Sequence, residues 1–378
     1  MSRQVTDPER LKRKIRASLR SQGFVLNPKS FGAPILTKEG ARSLNDVARL
    51  HRIDRAASGL RRLESKLLNE FASGGDLNPQ QIKPKLVEVT SGSQDELLFR
   101  YASLHWSVPV SSGYGRRLRF VVRDEQNGRL IGIIGLGDPV FSLGARDLWI
   151  GWDPKQRATK LRNVMDAFVL GAVPPYRDLL CGKLVALLVT SDQIRAAFQR
   201  KYKTEHSRIR EAEPDPRLAL ITTTSALGRS SVYNRLKLDG KQIFQSVGYT
   251  KGYGEFHFSN GLYSSMHAYA RQNCKPTDKK AAWGGGFRNR REVIKKALRT
   301  LGLPPQWLQH GINREVFVVP LARNSREFLN GEHTRLQWQK RSVDDLSEAF
   351  KRRWLIPRAV WDDRYRNFNP ENLRLWKD

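Results

Sequence analysis

The sequence predicts an α+β fold. A mixed central sheet is expected over residues 96–275, preceded by a basic helical N-terminal region over 1–95 and followed by a basic C-terminal extension over 276–378. Three observations carry this. Apolar residues keep three-and-four spacing through the first 75 residues, and period-two alternation begins near residue 118. Strands and helices then succeed each other too irregularly for a βαβ array, and no repeat recurs at a fixed period.

The elements follow in order. Asp7-Pro8 supplies a cap and a proline for the first helical turn. Leu11, Ile15 and Leu19 form one buried stripe, and Val47, Leu50, Ile53, Leu60, Leu63, Leu67, Leu68 and Phe71 form another. Asn27-Pro28 and Gly32-Ala-Pro34 interrupt the pattern, Gly74-Gly75 ends it, and Asn78-Pro79 opens a loop. Leu118–Arg123 alternates as a strand, Glu125-Gln-Asn-Gly128 turns, and Leu130–Gly135 returns. Leu148-Trp-Ile-Gly-Trp152 reads as a third strand. A helix is expected over 157–167, then an apolar run, Phe168–Val173, that stops at Pro174-Pro175. A long helix over 178–203, a strand over 218–224, a short helix over 233–238 and a Gly-rich aromatic hairpin over 244–258 follow. The tail holds a Gly run after Trp283, a basic helix over 289–301, Pro304-Pro305 and a strand, Glu315–Val319. Arg- and Trp-bearing polar sequence from 322 closes the chain.

Among 378 residues, 67 Lys and Arg face 37 Asp and Glu, a net charge of +30. Such a surplus calls for a polyanion, and its spread along the chain favours nucleic acid over a membrane surface. No apolar run approaches the roughly 18 residues of a membrane span, and no leader is evident, so a cytoplasmic protein is expected. Two cysteines, Cys181 and Cys274, exclude a disulfide framework and argue against a zinc site, so no metal is expected.

Several stretches are candidates for chemistry. Arg146-Asp147 is either an ion pair that pins a strand or a carboxylate at a cleft edge for general-base work. Arg157, Lys160 and Arg162 open a helix, where free amides and the helix dipole favour phosphate. Thr222 to Arg235 packs six hydroxyls, Tyr233, Arg229 and Arg235 around Gly228, after a strand and before a helix. Hydroxyls with Arg suit phosphate, and Ser230 either joins them or caps the helix. Lys251 and Tyr253 pair a cation with an aromatic, as base stacking requires, although a hairpin carries the same residues. Arg288, Arg290 and Arg291 lie in the basic stretch 275–299. Walker, Gly-x-Ser-x-Gly and His-Glu-x-x-His motifs are absent, and Cys181 is either buried filler or a nucleophile.

Trp106–Arg117, Arg146–Trp152, Thr224–Arg235, Gly285–Ile294 and His310–Phe317 resemble the Druantia DruA family over most of the chain. That resemblance implies a bacterial antiphage defence component acting with partner proteins, including a large helicase. The strand and helix order also resembles the GNAT class of acetyltransferases, in which a Gly-bearing loop after the central strand binds the pyrophosphate of acyl-coenzyme A. The matching place is expected at Gln156–Leu161, which lacks the glycines, so no cofactor is expected. The reading is a nucleic-acid-binding defence component that contacts DNA, with RNA as the alternative ligand. Alternatives are an enzyme using Asp147, Arg146 and Tyr233, and a structural adaptor.

Overall fold

The computed structural model describes residues 7–26, 31–32, 38–108, 110, 115–204, 215–226, 228–258, 261–276 and 290–376. The expected breaks at Asn27-Pro28 and Ala33-Pro34, the Gly run after Trp283, and Arg288 lie outside them. The chain divides into two compact units, 1–51 with 250–314, and 52–249 with 315–378.

The second unit is built on a mixed seven-stranded sheet. Its strands are β1 (Pro84–Glu88), β2 (Arg117–Asp124), β3 (Leu130–Gly137), β4 (Val164–Ala172), β5 (Leu220–Thr224), β6 (Gln245–Tyr249) and β7 (Glu315–Pro320). They lie in the order β1-β2-β3-β4-β5-β7-β6, and every neighbouring pair is antiparallel except β4–β5. Every residue of β3 is buried, so both faces of the sheet are covered there. The Cys181–Leu188 helix covers one face through Leu184, Val185 and Leu188. Leu98 and Phe99 of the Gln94–Ala102 helix join Val121, Ile133 and Val169 in a separate core. The Asn127-Gly128 turn forms as expected, with Gly128 at φ 72 and its N–H donating to Asp124 O at 2.7 Å.

Several expectations change. Leu148–Trp152 is no strand: Gly144–Ile150 is a helix, ended by Gly151 at φ 81. Leu148 is 83% exposed while Ile150 is fully buried, which two residues on one strand face would not be. The helix expected to 167 stops at Lys160, because Val164–Asp166 pair in register with Leu220–Thr222. The long helix splits into Cys181–Leu188 and Asp192–Tyr202, since Ser191 Oγ accepts Ile194 N–H and starts a second one. The short helix over 233–238 is one 3₁₀ turn, Tyr233–Arg235, followed by a two-residue ribbon strand. The 244–258 hairpin is one strand, β6, whose partner is β7. Strand β1 stands where only a loop was expected.

The first unit is helical. Leu11, Ile15 and Leu19 of the Pro8–Ser21 helix pack with Leu262, Met266 and Tyr269 of the Leu262–Asn273 helix and with Val293, Ile294, Ala297 and Leu298 of the Arg290–Thr300 helix. Asp7 caps the first helix by accepting Glu9 N–H at 3.0 Å. Two histidines lie in this unit's interior. His257 Nε2 is 2.6 Å from Trp307 O, and His310 Nδ1 accepts Ile312 N–H at 3.1 Å.

Candidate functional site

The parallel pairing of β4 with β5 lasts three residue pairs and ends at Asp166↔Thr222. Beyond it β4 runs on beside β3, and β5 runs on beside β7. A parallel pair that parts in this way opens the sheet at the carboxyl ends of its strands, where ligands bind in α/β folds. Polar groups collect at this point. Thr222 Oγ1 donates to Asp166 Oδ1 at 2.8 Å, and Thr223 Oγ1 donates to Ala167 O at 2.8 Å.

Asp166 is the carboxylate of this site. Burial pushes its carboxyl up to about 6, against the opposing pulls of the Thr222 hydroxyl and the Arg146 guanidinium. Such a group exchanges a proton near neutral pH and suits a general base. Tyr233 stands near, its ring stacked on Phe244 at 4.5 Å and edge-on to Phe317 at 5.2 Å. Burial raises its phenol to about 12, so it is a proton donor at neutral pH. Sequence reasoning missed Asp166. Its signal was a lone charge inside the apolar run Val164–Ala172.

The pair singled out from sequence, Arg146 and Asp147, is a clamp. Arg146 is fully buried, and its Nε and Nη2 donate to Asp147 Oδ1 at 2.9 and 2.7 Å. Its remaining donors reach Val140 O and Phe141 O. Asp147 Oδ2 accepts Leu143 N–H and Arg157 Nη1. Both oxygens are thus committed to protein donors, which is the strand-pinning reading transferred to a helix. Arg146 also bears on Asp166 through its charge.

The expected phosphate site at residue 157 is closed. Asp153 Oδ1 accepts Gln156 N–H at 2.7 Å in a capping box, so a carboxylate already fills that helix start. Arg157 pairs with Asp147, and Lys160 Nζ sits 4.1 Å from the Phe328 ring centroid. Arg162 is half-buried beside them, its carbonyl accepting Arg116 Nη1.

The hydroxyl-rich turn is held from within. Buried Glu315 accepts Ser230 N–H (3.2 Å), Asn234 Nδ2 (2.8 Å) and Ser246 Oγ (2.8 Å). Ser225 Oγ donates to Gly228 O, and Ser230 Oγ accepts Tyr233 N–H at 3.2 Å. Ser230 is thus engaged in the turn's own bonds, its Oγ accepting the first amide N–H of the Tyr233–Arg235 turn. Arg229 and Arg235 remain exposed. Cys181 is buried, and burial pushes its thiol well up, which suits filler rather than a nucleophile.

In the first unit, Arg290 Cζ lies 4.2 Å from the Tyr263 ring centroid and Arg291 Cζ 5.1 Å from that of Tyr253. Arg291 also reaches Glu255 at 3.5 Å, and Lys251 is exposed. The site residues expected from sequence thus fall into separate groups. Tyr253, Arg290 and Arg291 belong to the first unit, and Arg146, Asp147 and Arg157 form one network in the second. Among the described residues no group of His, Cys, Asp and Glu could hold a metal ion, and no helix is long and apolar enough to cross a membrane.

The chain matches the family model described as Druantia protein DruA over residues 35–331. It is 43% identical over 370 residues to Druantia protein DruA of Escherichia coli (strain UMEA 4076-1), covering 97% of this chain and 90% of the relative. No solved structure matches it.

Proposed function

We propose that this chain, which belongs to the Druantia DruA family, is the nucleic-acid-contacting component of a bacterial antiphage defence system, and that its first unit makes the contact. The family carries the defence role and implies other defence proteins as partners, among which we propose a helicase. Charge segregation carries the nucleic-acid reading. The first unit holds 23 Lys and Arg against 7 Asp and Glu, a net +16 on 116 residues. The second holds 44 against 30, a net +14 on 262 residues. Per residue the first unit is more than twice as basic.

Its amphipathic Pro8–Ser21 helix explains how that charge is displayed. The apolar stripe faces the core, and Arg10, Arg13, Arg16 and Arg20 are exposed. Glu9 is already paired with Lys12 at 2.7 Å. Guanidiniums on one helix that make no ion pair among the described residues suit backbone phosphates. The deciding experiment is the salt dependence of duplex DNA affinity. It should fall linearly on a log–log plot and lose roughly a thousandfold between about 50 and 200 mM salt. Arg13→Ala and Arg16→Ala should each lower the slope by about one. Affinity without a salt slope, or no binding at low salt, refutes the reading.

A second reading is enzymatic, and the raised carboxyl of Asp166 at the parting of β4 and β5 favours it. The single parallel pair and the strand order support an acetyltransferase-like core. Gln156–Leu161, the expected place for an acyl-coenzyme A loop, lies in and just after a helix that precedes β4, so the loop after the central strand is the one that follows Ala172, and its amides do not favour that cofactor either. There the N–H groups of Leu179, Leu180, Cys181 and Lys183 all donate to carbonyls of the same loop, so they cannot cradle a pyrophosphate. Any reaction at Asp166 would therefore take its substrate without that cofactor.

A further inference from the structure

One face of the second unit gathers cations around aromatic rings, among them Arg235 at the end of the hydroxyl-rich turn and Lys183 at the start of the helix after β4. Lys183 Nζ and Arg353 Cζ lie 5.3 and 4.9 Å from the ring centroid of the same indole, Trp354. Arg235 is close enough to repel Lys183, and burial with these two guanidiniums lowers the Lys183 ammonium. No carboxylate offsets this repulsion at Lys183, so an ammonium and two guanidiniums stand together there. Arg353 is held in place by donating to Lys237 O at 2.9 Å.

The chain carrying Arg353 continues as a π-helical turn, Lys351–Leu355, into the Ile356–Trp361 helix. π turns inside helices occur often at functional sites. The helix ends on Val360 and Trp361, 82% and 70% exposed. Arg358 stands 4.2 Å from the Trp361 ring centroid and is fixed by donating to Asp178 O at 3.0 Å and by its pairing with Asp362. Trp361 is thus an indole steadied from one side and open to solvent.

We propose that this face binds single-stranded nucleic acid, with backbone phosphates on Lys183, Arg235 and Arg353 and one unpaired base stacked on Trp361. Residues 351–366 carry six cations against two carboxylates, which suits a polyanion. Two exposed apolar side chains are far short of the roughly 800 Å² per partner of a stable protein interface. One base on one aromatic ring, in contrast, is a complete unit of contact. A duplex offers base edges and not faces, so only an unpaired base can stack there. This goes beyond the duplex-contacting reading of the first unit and stands on different residues.

The test is fluorescence anisotropy of a labelled 20-nucleotide oligodeoxythymidine and of a labelled 20-base-pair duplex, on the full chain. Trp361→Ala should weaken oligodeoxythymidine binding about tenfold and leave the duplex within about twofold. Trp361→Phe, which keeps a ring, should recover most of the loss, and Arg235→Ala with Arg353→Ala should weaken the single strand further. Unchanged single-strand affinity in Trp361→Ala overturns the proposal, as does an equal loss on duplex. A loss of self-association in Trp361→Ala, seen by sedimentation with single-strand affinity intact, assigns the face to protein and also overturns it. Wild-type protein that binds duplex alone refutes this site and leaves the first-unit reading standing; binding to the single strand alone does the reverse.

Discussion

Replacing Asp166 with Asn removes the one carboxyl that the site holds in an unfavourable state. Its folded pKa of about 6 stands above the ordinary 3.8, a gap of roughly two units, and each unit is about 1.4 kcal/mol. The folded protein keeps the extra proton between about pH 4 and 6, while the unfolded chain has lost it. The favourable contribution of this group is therefore complete below about pH 4 and is lost as pH rises through 6. Asn retains an oxygen to accept the Thr222 hydroxyl at 2.8 Å and cannot ionise. Asp166→Asn should accordingly match wild type near pH 4 and gain stability relative to it as pH rises. The gain should approach about 3 kcal/mol at pH 7 and then level off. Urea unfolding at half-unit intervals from pH 4 to 7.5 reads this directly, as the difference between two curves. Other titrating groups cancel in that difference. A difference that does not change with pH would show that Asp166 has an ordinary pKa, and the general-base argument would fall with it.

Two further outcomes follow from other groups. In the first unit, burial lowers His257 to about 4 and His310 to about 3, so both are neutral when folded, and stability falls as pH drops below about 6.5. His310→Asn keeps an acceptor for Ile312 N–H and should shrink that acid sensitivity, measured by hydrogen exchange of this amide from pH 7 to 4; an unchanged profile counts against the buried neutral imidazole. Acetyl-coenzyme A should leave the melting temperature unmoved, because the loop after β4 uses its own amides. A true binder at a hundredfold excess over its dissociation constant would gain about 2.7 kcal/mol, and an upward shift of that size would restore the acyl-transfer reading.

Local chemistry explains which elements were legible in the sequence. Strands β2 and β3 could be read because alternation and an Asn-Gly turn agree. Leu148–Trp152 misled because every second residue is large and apolar, whereas a glycine at φ 81 was closing a helix. Strand β1 has one apolar pair, Leu86-Val87, too little for a period to show. The error at 157–167 also hid the site. With the start of β4 read as helix, Asp166 had no reason to meet Thr222, since parallel pairing joins residues 56 apart through a register that only the fold supplies. Arg146 and Asp147 were found, but their partners Leu143 and Arg157 decide that they clamp.

Charge tells the same story at larger scale. A net +30 reads as evenly spread along the chain, because the most basic unit is assembled from two segments separated by nearly two hundred residues. Counted by unit, the surplus becomes concentrated, and counted by side-chain partner it sharpens again. In the second unit many cations are neutralised where they stand: Arg116 on Asp138, Arg119 on Glu96, Arg123 on Glu70 and Asp95, Arg217 on Asp215. Those pairs hold the sheet and its loops and neutralise much of the second unit's surplus, which leaves the face around Trp354 as the place where its cations gather. The exposed row on the Pro8–Ser21 helix has two acids at its start, and both are engaged: Asp7 caps the helix and Glu9 pairs with Lys12. A duplex approaching the protein is therefore drawn to the exposed row of guanidiniums on the Pro8–Ser21 helix, and that is why the proposed duplex contact lies in the first unit, while the proposed single-strand contact rests on the few cations of the second unit that gather around Trp354.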